Sequence, residues 1–495
     1  MQRRYGGSRA RAPEPKVQLG LAQRGTRWRS DQLARRRRMT ERGRRTLIGV
    51  AVACALALLW VTEPIGAVRA ALDEPPQVAA PPEARPEQRS DAPALLPRLL
   101  SRLPISRAAL DLPSTPLGEG SPPGRLYETL ASEGLATQHP GPLRVEYTLD
   151  AELMEGVFSV LKRGRVAFGN VVVMEPRTGR VLAYAATDLE HFPPTRSYPA
   201  ASLVKIITAA AALDRAPNTA RLPCRYRGSP YRLTPSRIDP PSHGNTVSLR
   251  RALATSNNQC FAQLAVHALG AQPLLEAIDR FGWLSSPAPA HAAGSADPGE
   301  ERYDVGRLGC GLAGSRITPL HAAQLASTLA HGELVAPRWI ERVLDQEGRD
   351  LPVPDTGLPR RVLSAKIADE LRDMLVDTTR SGTARRAFRG RGGRPLLGSV
   401  TVAGKTGSLS GKDPDGRYEW FVGIAPADDP RIAVATVLVQ DDLWWRNASQ
   451  VAADVLKLVF CSREGCRAEN AARFTQPGSF AAVAGRPVRE SSTVN

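Results

Sequence analysis

Residues 169–188, GNVVVMEPRTGRVLAYAATD, contain the pattern that decides the fold. Two runs rich in Val, Ala and Tyr flank Pro-Arg-Thr-Gly at 176–179, and strand formers on both sides of a turn sequence predict a β-hairpin. The next strong signal is AASLVKIITAAAAL at 200–213, which is almost wholly apolar after Lys205 and predicts a buried helix. A hairpin followed by a buried helix indicates a domain in which helices pack on a sheet.

Helical and strand-like patterns continue through residues 145–462, which we assign to one globular domain. Helical spacing occurs at 150–164, 248–269, 319–331 and 362–379, and strand-like runs occur at 400–404, 419–425 and 431–440. The early hairpin, the helical middle and the returning strands predict an α+β fold, an αβα sandwich in which helices flank an antiparallel sheet. The chain has no internal repeat and no G-x-x-x-x-G-K-[ST] phosphate loop.

The positive charge of the chain is concentrated at its N-terminus. The 495 residues carry 66 Lys and Arg against 49 Asp and Glu, a formal charge of +17. Residues 1–45 hold 15 of the basic residues and 3 of the acidic ones, so this segment alone accounts for +12. A basic excess is typical of nucleic-acid-binding proteins, but its confinement to one terminal segment argues against a nucleic-acid partner.

An apolar run, TLIGVAVACALALLWV at 46–61, follows the basic segment directly. We interpret 46–66 as a single transmembrane anchor in the cytoplasmic (inner) membrane, with a buried core helix as the alternative. Because positive residues stay inside, 1–45 is predicted to be a cytoplasmic arm and the following chain to be periplasmic. A cleaved signal remains open, since Val68-Arg69-Ala70 resembles a cleavage site and Arg44-Arg45 a twin-arginine signal.

The stretch between the anchor and the globular domain is rich in proline. Fourteen prolines lie from Pro75 to Pro142, among Ala, Arg, Glu and Ser. This composition predicts a semi-extended linker over 67–144 that holds the folded domain away from the bilayer. Residues 94–112 within it have the spacing of short amphipathic helices, which either dock on a partner or shield themselves. Residues 463–495 are predicted to be a C-terminal tail.

The first motif with chemical meaning is Ser202-Leu-Val-Lys205. Positions i and i+3 of a helix share one face, so the hydroxyl and the amine can meet one turn apart. A lysine whose pKa is lowered by burial can take the proton of a serine, which an arginine cannot do. A second copy, Ser159-Val-Leu-Lys162, precedes Arg163-Gly-Arg165 and is predicted to lie on a solvated surface. The buried setting of the first copy favours Ser202 and Lys205 as the reactive pair.

A second motif, Ser256-Asn257-Asn258, follows a helical pattern. Ser256 can relay a proton, and Asn258 can hydrogen-bond a substrate amide while it steadies Lys205. The spacing alone is common, and a helix cap or an Asx turn is the alternative interpretation.

A third motif, Lys405-Thr406-Gly407, follows the strand-like VTVAG and precedes Ser408. On a strand Lys405 and Gly407 face one way and Thr406 the other. The ammonium and the hydroxyl offer a site for a substrate carboxylate, and the glycine lets a substrate backbone approach closely. A surface lysine before a turn is the alternative.

Taken in order, S-x-x-K, S-x-N and K-T-G, separated by 54 and then 149 residues, resemble the signature of penicillin-binding proteins and serine β-lactamases. The chain therefore resembles the penicillin-binding protein transpeptidases over about 145–460. Further matching segments are the hairpin at 169–188, Gly309-Cys-Gly-Leu with Ile317-Thr-Pro-Leu-His-Ala-Ala, Ser381-Gly-Thr-Ala, and Glu419-Trp-Phe-Val-Gly.

The resemblance implies a D,D-transpeptidase that crosslinks peptidoglycan stem peptides. Ser202 would attack the carbonyl between the two terminal D-alanines, with Lys205 as its base and Ser256 as the donor of a proton to the departing amine. Asn258 would hold the stem-peptide amide. An amine of a neighbouring strand would then resolve the acyl-enzyme.

The same resemblance assigns the remaining contacts. Lys405 and Thr406, beside Gly407, would bind the terminal carboxylate, and the backbone N–H groups of Ser202 and Ser408 would form the oxyanion hole. β-Lactams would acylate Ser202. The family's chemistry requires no metal or cofactor.

Two relatives with similar motifs are excluded by the sequence. A class A β-lactamase needs an E-x-x-L-N loop between the second and third motifs, but no asparagine lies between Asn258 and Asn447. A bifunctional enzyme needs a glycosyltransferase domain, for which the proline-rich 67–144 leaves no room. The pedestal domain of many monofunctional members is missing or much reduced, so assignment to an elongation or division subgroup, and any partner of those subgroups, is in doubt.

Other roles for the same site remain open. A D,D-carboxypeptidase would use water in place of the acceptor amine. A β-lactam sensor or a scaffold in cell-wall synthesis would keep the site for binding or recruitment, with a separate glycosyltransferase or synthesis complex as a partner. Residues 1–45 contain no evident enzyme or DNA-binding module, which disfavours the sensor.

The cysteines are interpreted as structural. Cys461 and Cys466 bracket four residues and can pair in an oxidising compartment, whereas Cys224, Cys260 and Cys310 leave at least one thiol unpaired. No C-x-x-C spacing typical of zinc is present.

Overall fold

The computed structural model describes residues 111–115, 124–130, 141–353, 357–440 and 446–475. The predicted cytoplasmic arm, the anchor at 46–66, most of the linker and residues 476–495 lie outside these ranges. Among the residues that are described, none of the helices has the length and apolar content needed to cross a bilayer. The anchor therefore stays a prediction.

The strands, numbered along the chain, are β1 (Arg125–Leu130), β2 (Leu143–Asp150), β3 (Phe168–Met174), β4 (Val181–Ala186), β5 (Tyr198–Pro199), β6 (Cys224–Tyr226), β7 (Asn245–Val247), β8 (Ser295–Ala296), β9 (Ser315–Ile317), β10 (Glu333–Leu334), β11 (Ile340–Leu344), β12 (Asp350–Leu351), β13 (Arg360–Arg361), β14 (Ala403–Gly411), β15 (Gly416–Ala425), β16 (Ile432–Gln440), β17 (Cys461–Ser462) and β18 (Gly465–Cys466).

The α-helices are α1 (Ala151–Arg163), α2 (Val204–Arg215), α3 (Pro217–Arg221), α4 (Leu249–Ala254), α5 (Asn258–Gln263), α6 (Ala271–Arg280), α7 (Arg302–Cys310), α8 (Pro319–His331), α9 (Ala365–Arg380) and α10 (Ala448–Phe460). Single turns of 3₁₀-helix occur at Ala201–Leu203, Pro235–Arg237 and Arg391–Gly393, with a longer stretch at Ala468–Arg473, and a π-helix occurs at Leu264–Leu269.

A five-stranded antiparallel sheet forms the centre of the domain, in the order β14-β15-β16-β3-β4. The predicted hairpin is confirmed as β3 and β4, with Asn170 opposite Ala186. Helices α1 and α10 pack on each other and on the sheet, and α8 and α9 also pack on it. Both hairpin strands are almost entirely buried, which explains why their sequence is continuously apolar instead of alternating. The α+β fold with helices flanking an antiparallel sheet is confirmed.

A second sheet, β1-β2-β11-β12, changes the domain boundaries that the sequence predicts. Residues 125–130, expected to belong to the linker, form β1 and pair with β2. The buried Arg125 donates to the Thr148 carbonyl at 2.7 Å and to the Phe474 carbonyl at 3.0 Å. Segments from both the predicted linker and the predicted tail are thus part of the folded domain. β1 pairs with β2 along one edge, and along the other its backbone bonds to Pro113 and Thr115.

The helical pattern at 248–269 is interrupted in the structure. Helix α4 ends at Ala254, and α5 begins at Asn258 after a turn in which Ser256 has a positive φ of 56°. The side chain of Asn257 caps α5 by accepting from the Cys260 N–H at 3.1 Å. The turn therefore lifts Ser256 out of the helix and into the site described below.

Candidate active site

The nucleophile candidate lies where an irregular turn enters a buried helix. Ala201, with a φ of 50°, begins the 3₁₀ turn that leads into α2 and places Ser202 before the first residue of that helix. Positive φ is costly for a residue with a side chain, and it persists only where the surroundings enforce it. Ser202 is partly exposed, while Lys205 has no exposed surface. The Ser202 hydroxyl is thus accessible from solvent, whereas the Lys205 amine is not.

Lys205 contacts three oxygen atoms. Its Nζ lies 2.7 Å from Ser202 Oγ, 2.8 Å from Asn258 Oδ1 and 2.6 Å from the Cys310 carbonyl oxygen. The amide and the carbonyl oxygens can only accept, so they hold two N–H bonds of the amine. When the amine is neutral, its lone pair is therefore left for the Ser202 hydroxyl.

Burial also lowers the basicity of this amine. Desolvation lowers the pKa of Lys205 from its ordinary value to about 8, although the charge of the nearby Cys310 thiol acts in the opposite direction. A lysine in this range carries a substantial neutral fraction near neutral pH, which a base toward serine requires. Geometry and pKa agree with the predicted pairing.

The second and third motifs meet at one hydrogen bond. Lys405, fully buried on β14, donates from Nζ to Ser256 Oγ at 2.9 Å and to the carbonyl of Thr406 at 2.7 Å. Burial, followed by the positive charge of Lys205, lowers the pKa of Lys405 well below its ordinary value. The amine thus faces the Ser256 hydroxyl, and its predicted contact with a substrate carboxylate stays a prediction.

Asn258 is held from two sides. Its Nδ2 donates to the Tyr231 carbonyl and its backbone N–H to the Pro230 carbonyl, each at 2.8 Å. Two residues further along α5, Cys260 forms a disulfide with Cys224 on β6. With both the oxygen and the nitrogen of its side-chain amide engaged, Asn258 is fixed as a partner of Lys205.

The face of β14 that carries Gly407 lies against the nucleophile turn. A Cβ at Gly407 would come within 3.2 Å of Ala201 Cβ and 3.3 Å of the Ala200 carbonyl oxygen. The absence of a side chain at Gly407 thus makes room for the protein's own chain beside Ser202, and the approach of a substrate backbone to this glycine stays a prediction. On the opposite strand, Trp420 donates from Nε1 to the Pro199 carbonyl at 2.8 Å and holds the same turn.

The other face of β14 presents hydroxyl groups. Thr406 Oγ1 lies 2.6 Å from Thr383 Oγ1, and Ser408 Oγ accepts from Arg417 Nε at 2.6 Å. Ser408 is exposed at the end of the motif. The alternation of Lys405 and Gly407 against Thr406, predicted from strand geometry, is confirmed.

The second S-x-x-K copy lies elsewhere. Ser159 and Lys162 are on α1, where Lys162 is exposed. Among the described residues, no hydrogen bond joins the Ser159 and Lys162 side chains. The solvated setting expected for this copy is confirmed.

Several residues of the site have no signal in the three motifs. The Cys310 carbonyl binds Lys205, and Gly311 approaches so closely that a Cβ there would collide with the Ala201 carbonyl. Thr383 and Arg417 contact the third motif. Three of these positions, Cys310, Gly311 and Thr383, lie in the segments Gly309-Cys-Gly-Leu and Ser381-Gly-Thr-Ala, which resemble the family pattern, so the resemblance is the signal that could have found them.

The remaining cysteines are structural, as expected. Cys461 and Cys466, which the sequence allowed to pair, form a disulfide that joins β17 to β18. Cys310 has a free, buried thiol whose pKa is raised by burial. Its contribution to the site is the backbone carbonyl.

Together these contacts form a site for nucleophilic acyl transfer. A half-exposed hydroxyl faces a buried amine of lowered pKa, and a second hydroxyl faces a second buried amine. A proton can move from Ser202 to Lys205 while Ser256 serves a departing group. Both amines are confined by hydroxyl, amide and carbonyl oxygens, so their positions are set before substrate arrives.

Comparison with known proteins agrees with this geometry. The family model described as "Penicillin binding protein transpeptidase domain" matches residues 169–460. The peptidoglycan D,D-transpeptidase PbpA of Mycolicibacterium smegmatis is 27% identical over 367 residues, which cover 64% of this chain and 71% of the relative. The peptidoglycan D,D-transpeptidase FtsI of Escherichia coli is 25% identical over 342 residues, or 64% of this chain and 54% of the relative.

The fold also matches solved structures. The crystal structure of PBPA from Mycobacterium tuberculosis aligns with a TM-score of 0.53 and 24% identity, covering 63% of this chain and 81% of the other. The D,D-transpeptidase domain of a peptidoglycan glycosyltransferase from Eggerthella lenta aligns with a TM-score of 0.52 and 23% identity, covering 63% and 82%. These structures share the fold, and the family model spans all three motifs. The chain belongs to the penicillin-binding protein transpeptidase family.

Proposed function

We propose that this protein is a membrane-anchored peptidoglycan D,D-transpeptidase. The observation that supports it best is the convergence on Lys205 Nζ of Ser202 Oγ, Asn258 Oδ1 and the Cys310 carbonyl, at 2.7, 2.8 and 2.6 Å. Ser202 attacks the carbonyl between the terminal D-alanines of a stem peptide. The C–N bond breaks, D-alanine leaves, and the acyl group stays on Ser202 until the amine of a neighbouring strand takes it.

Lys205 and Lys405 take part in different proton transfers. Lys205 accepts the proton of Ser202 as the C–O bond forms, and Ser256 passes a proton to the departing amine. Lys405, which donates to Ser256 at 2.9 Å, supplies and orients that proton. The backbone N–H groups of Ser202 and Ser408 stabilise the negative oxygen, and each such donor lowers a barrier by ~3 kcal/mol in other acyl-transfer enzymes.

Substrate binding uses the remaining motif residues. Asn258 holds the stem-peptide amide, while Thr406, beside Lys405 and Gly407, receives the terminal carboxylate. A β-lactam places its own carbonyl and carboxylate in the same positions, so it acylates Ser202. The relatives named peptidoglycan D,D-transpeptidase support this assignment.

The anchor and the compartment are part of the proposal. Residues 46–66 span the cytoplasmic membrane, 1–45 remain inside, and the proline-rich part of 67–144 carries the catalytic domain into the periplasm. The disulfides of the folded domain support an oxidising compartment. Protease added to intact spheroplasts should remove the catalytic domain and spare a tag on residue 1; protection of the domain would reverse the topology.

Covalent labelling with a fluorescent penicillin tests the site assignment. The parent and Ser159→Ala should be labelled equally, and Ser202→Ala should not be labelled. Ser159 is the matched control, since it belongs to the second S-x-x-K copy. Labelling that survives Ser202→Ala would contradict the assigned nucleophile.

Product analysis separates the two acyl-transfer outcomes. With an added acceptor amine, crosslinked muropeptides should accumulate in a Ser202-dependent manner. If only D-alanine and the shortened peptide appear, water resolves the acyl-enzyme and the protein is a D,D-carboxypeptidase. Penicillin labelling without turnover of either kind would indicate a sensor or a scaffold.

A further inference from the structure

A tight turn at 229–232 is held against Asn258. The Arg232 N–H donates to the Ser229 carbonyl at 3.3 Å and closes the turn. The carbonyls of its two central residues, Pro230 and Tyr231, accept from the backbone and side-chain amides of Asn258. Arg232 is the residue after Tyr231, so its Cα lies directly beside this contact.

A second tight turn, at 382–385, is held against Thr406. The Arg385 N–H donates to the Gly382 carbonyl at 3.2 Å, and the Thr383 N–H donates to the Ala254 carbonyl at 3.1 Å. The Thr383 hydroxyl lies 2.6 Å from that of Thr406. Each turn thus places an arginine as its fourth residue, close to a residue that contacts substrate in the proposed function.

Both arginines are exposed and lack a counter-charge. Among the described residues, neither the Arg232 nor the Arg385 side chain takes part in an ion pair or a hydrogen bond, although the Arg232 carbonyl accepts from Arg237 Nη1. The neighbouring Arg227 and Arg386 are exposed, and their side chains are equally unpaired there. The segments 225–237 and 380–394 contain four and six arginines and no acidic residue.

The acidic residues near these segments are engaged elsewhere. Asp239 pairs with Arg302 at 3.1 Å and with His267 at 3.0 Å. Asp373 and Asp377 both pair with Arg250. The positive charge at the two turns is therefore left for a ligand.

We propose that Arg232 and Arg385 bind free carboxylates of the stem peptide, away from its terminal carboxylate, and so make the site selective for stem peptides that are not amidated. The inference rests on the proposed function. A guanidinium donates two parallel hydrogen bonds to a carboxylate, a pairing that a carboxamide cannot reproduce. The turns are fixed at the motif residues, so the backbone positions from which the two guanidinium groups reach the bound peptide are defined.

Two synthetic stem pentapeptides ending in D-Ala-D-Ala test the inference, one with free side-chain and α-carboxylates and one with those groups as carboxamides. D-alanine release by the full-length protein in neutral detergent, with a saturating acceptor amine that takes the acyl group from Ser202, gives kcat and KM for each peptide. The free-acid form should be favoured about tenfold in kcat/KM, through KM, because the pairing is made in the ground state as well as in the transition state. Arg232→Gln and Arg385→Gln should each reduce that preference severalfold by weakening the free-acid peptide alone.

Two controls separate recognition from damage to the site. Arg163→Gln removes an exposed arginine at the end of α1 and should leave the preference unchanged. Acylation by penicillin, which lacks the extra carboxylates, should proceed at the parental rate in every variant. Slower penicillin acylation, with both peptides weakened equally, would overturn the inference in favour of a structural role for the arginines.

The remaining outcomes are also decisive. Equal kcat/KM for the two peptides in the parent, or a preference that survives both substitutions, would overturn the inference while the proposed function stands. Failure of both peptides to release D-alanine from a protein that still takes penicillin would remove the proposed function and the inference with it.

Discussion

Lys405 Nζ and Ser256 Oγ lie 2.9 Å apart, although 149 positions separate the two residues in the chain. One is on the edge strand β14 of the central sheet, and the other is in the turn between two short helices, where it has a φ of 56°. The bond joins the second and third motifs in space. Loss of either partner leaves a buried polar group unsatisfied.

This coupling predicts non-additive kinetics. Ser256→Ala and Lys405→Met should each lower kcat/KM for D-alanine release by at least a hundredfold, and the double variant should lose little more than the worse single one. The measurement is a double-mutant cycle on kcat/KM. Ser256→Ala combined with the distant Arg163→Gln is the control pair and should be additive. Additivity between Ser256 and Lys405 would show that their contact has no catalytic role.

The lowered pKa of Lys205 predicts the pH dependence of acylation. The base must be neutral, and burial brings its pKa to about 8. The second-order rate of penicillin acylation should therefore rise with pH, about tenfold per unit below pH 7, and level off above pH 8 to 9. Lys205→Arg should lose acylation by at least a thousandfold at every pH, since an arginine does not deprotonate. A flat profile from pH 5 to 9 in the parent would exclude Lys205 as the base.

Gly311 predicts a selective loss of activity. It has a φ of 74°, and a Cβ there would collide with the Ala201 carbonyl just before Ser202. Gly311→Ala should slow penicillin acylation by at least a hundredfold, because the nucleophile turn must shift. Gly348 is a matched control: its φ is 75°, but nothing lies within 4 Å of its Cβ position. Gly348→Ala should cost about 1 kcal/mol of stability or less and leave the acylation rate unchanged.

The Cys224–Cys260 disulfide predicts a large contribution to stability. It closes a loop with a sequence separation of 36, against 5 for Cys461–Cys466. Loop-closure entropy gives about 4 kcal/mol for the first bond and about 2 kcal/mol for the second. Denaturant unfolding of the two double Cys→Ser variants should show that order, and only the first should also slow acylation, because Asn258 lies on the tethered helix. Equal losses of stability would contradict this ranking.

Glu419, on the strand beside the third motif, predicts a pH-dependent stability. Burial raises its pKa from 4.5 to about 7, against the opposing influence of Arg417. Between pH 4.5 and 7 the Glu419 carboxyl holds its proton in the folded protein but loses it in the unfolded chain. The free energy of unfolding therefore falls as pH rises, and the loss of about 3 kcal/mol is complete above pH 7. Relative to the parent, Glu419→Gln should therefore gain stability from pH 4.5 to pH 8 in denaturant titrations. A parallel pH dependence of the two proteins would refute the prediction.

Local elements and the candidate reactive side chains could be predicted from the amino-acid sequence. Helix α8 was predicted at 319–331 and is observed at Pro319–His331, and the hairpin at 169–188 became β3 and β4. These features follow from periodicity and turn chemistry within a short window. The pairing of Ser202 with Lys205 could also be predicted, because side chains at positions i and i+3 of one helical segment are close in the sequence as well as in space.

The tertiary structure alone decided what surrounds those side chains. The carbonyl of Cys310 holds Lys205, and main-chain carbonyls of Pro230 and Tyr231 hold Asn258. Because every residue has a backbone carbonyl, no sequence motif can show which carbonyl will contact Lys205 or Asn258. The same holds for β1, whose six residues become a strand through pairing with the distant β2 and with residues 113–115. The sequence specifies the chemistry of each side chain. The contacts that position those side chains depend on backbone groups and on long-range pairing, which only folding brings together.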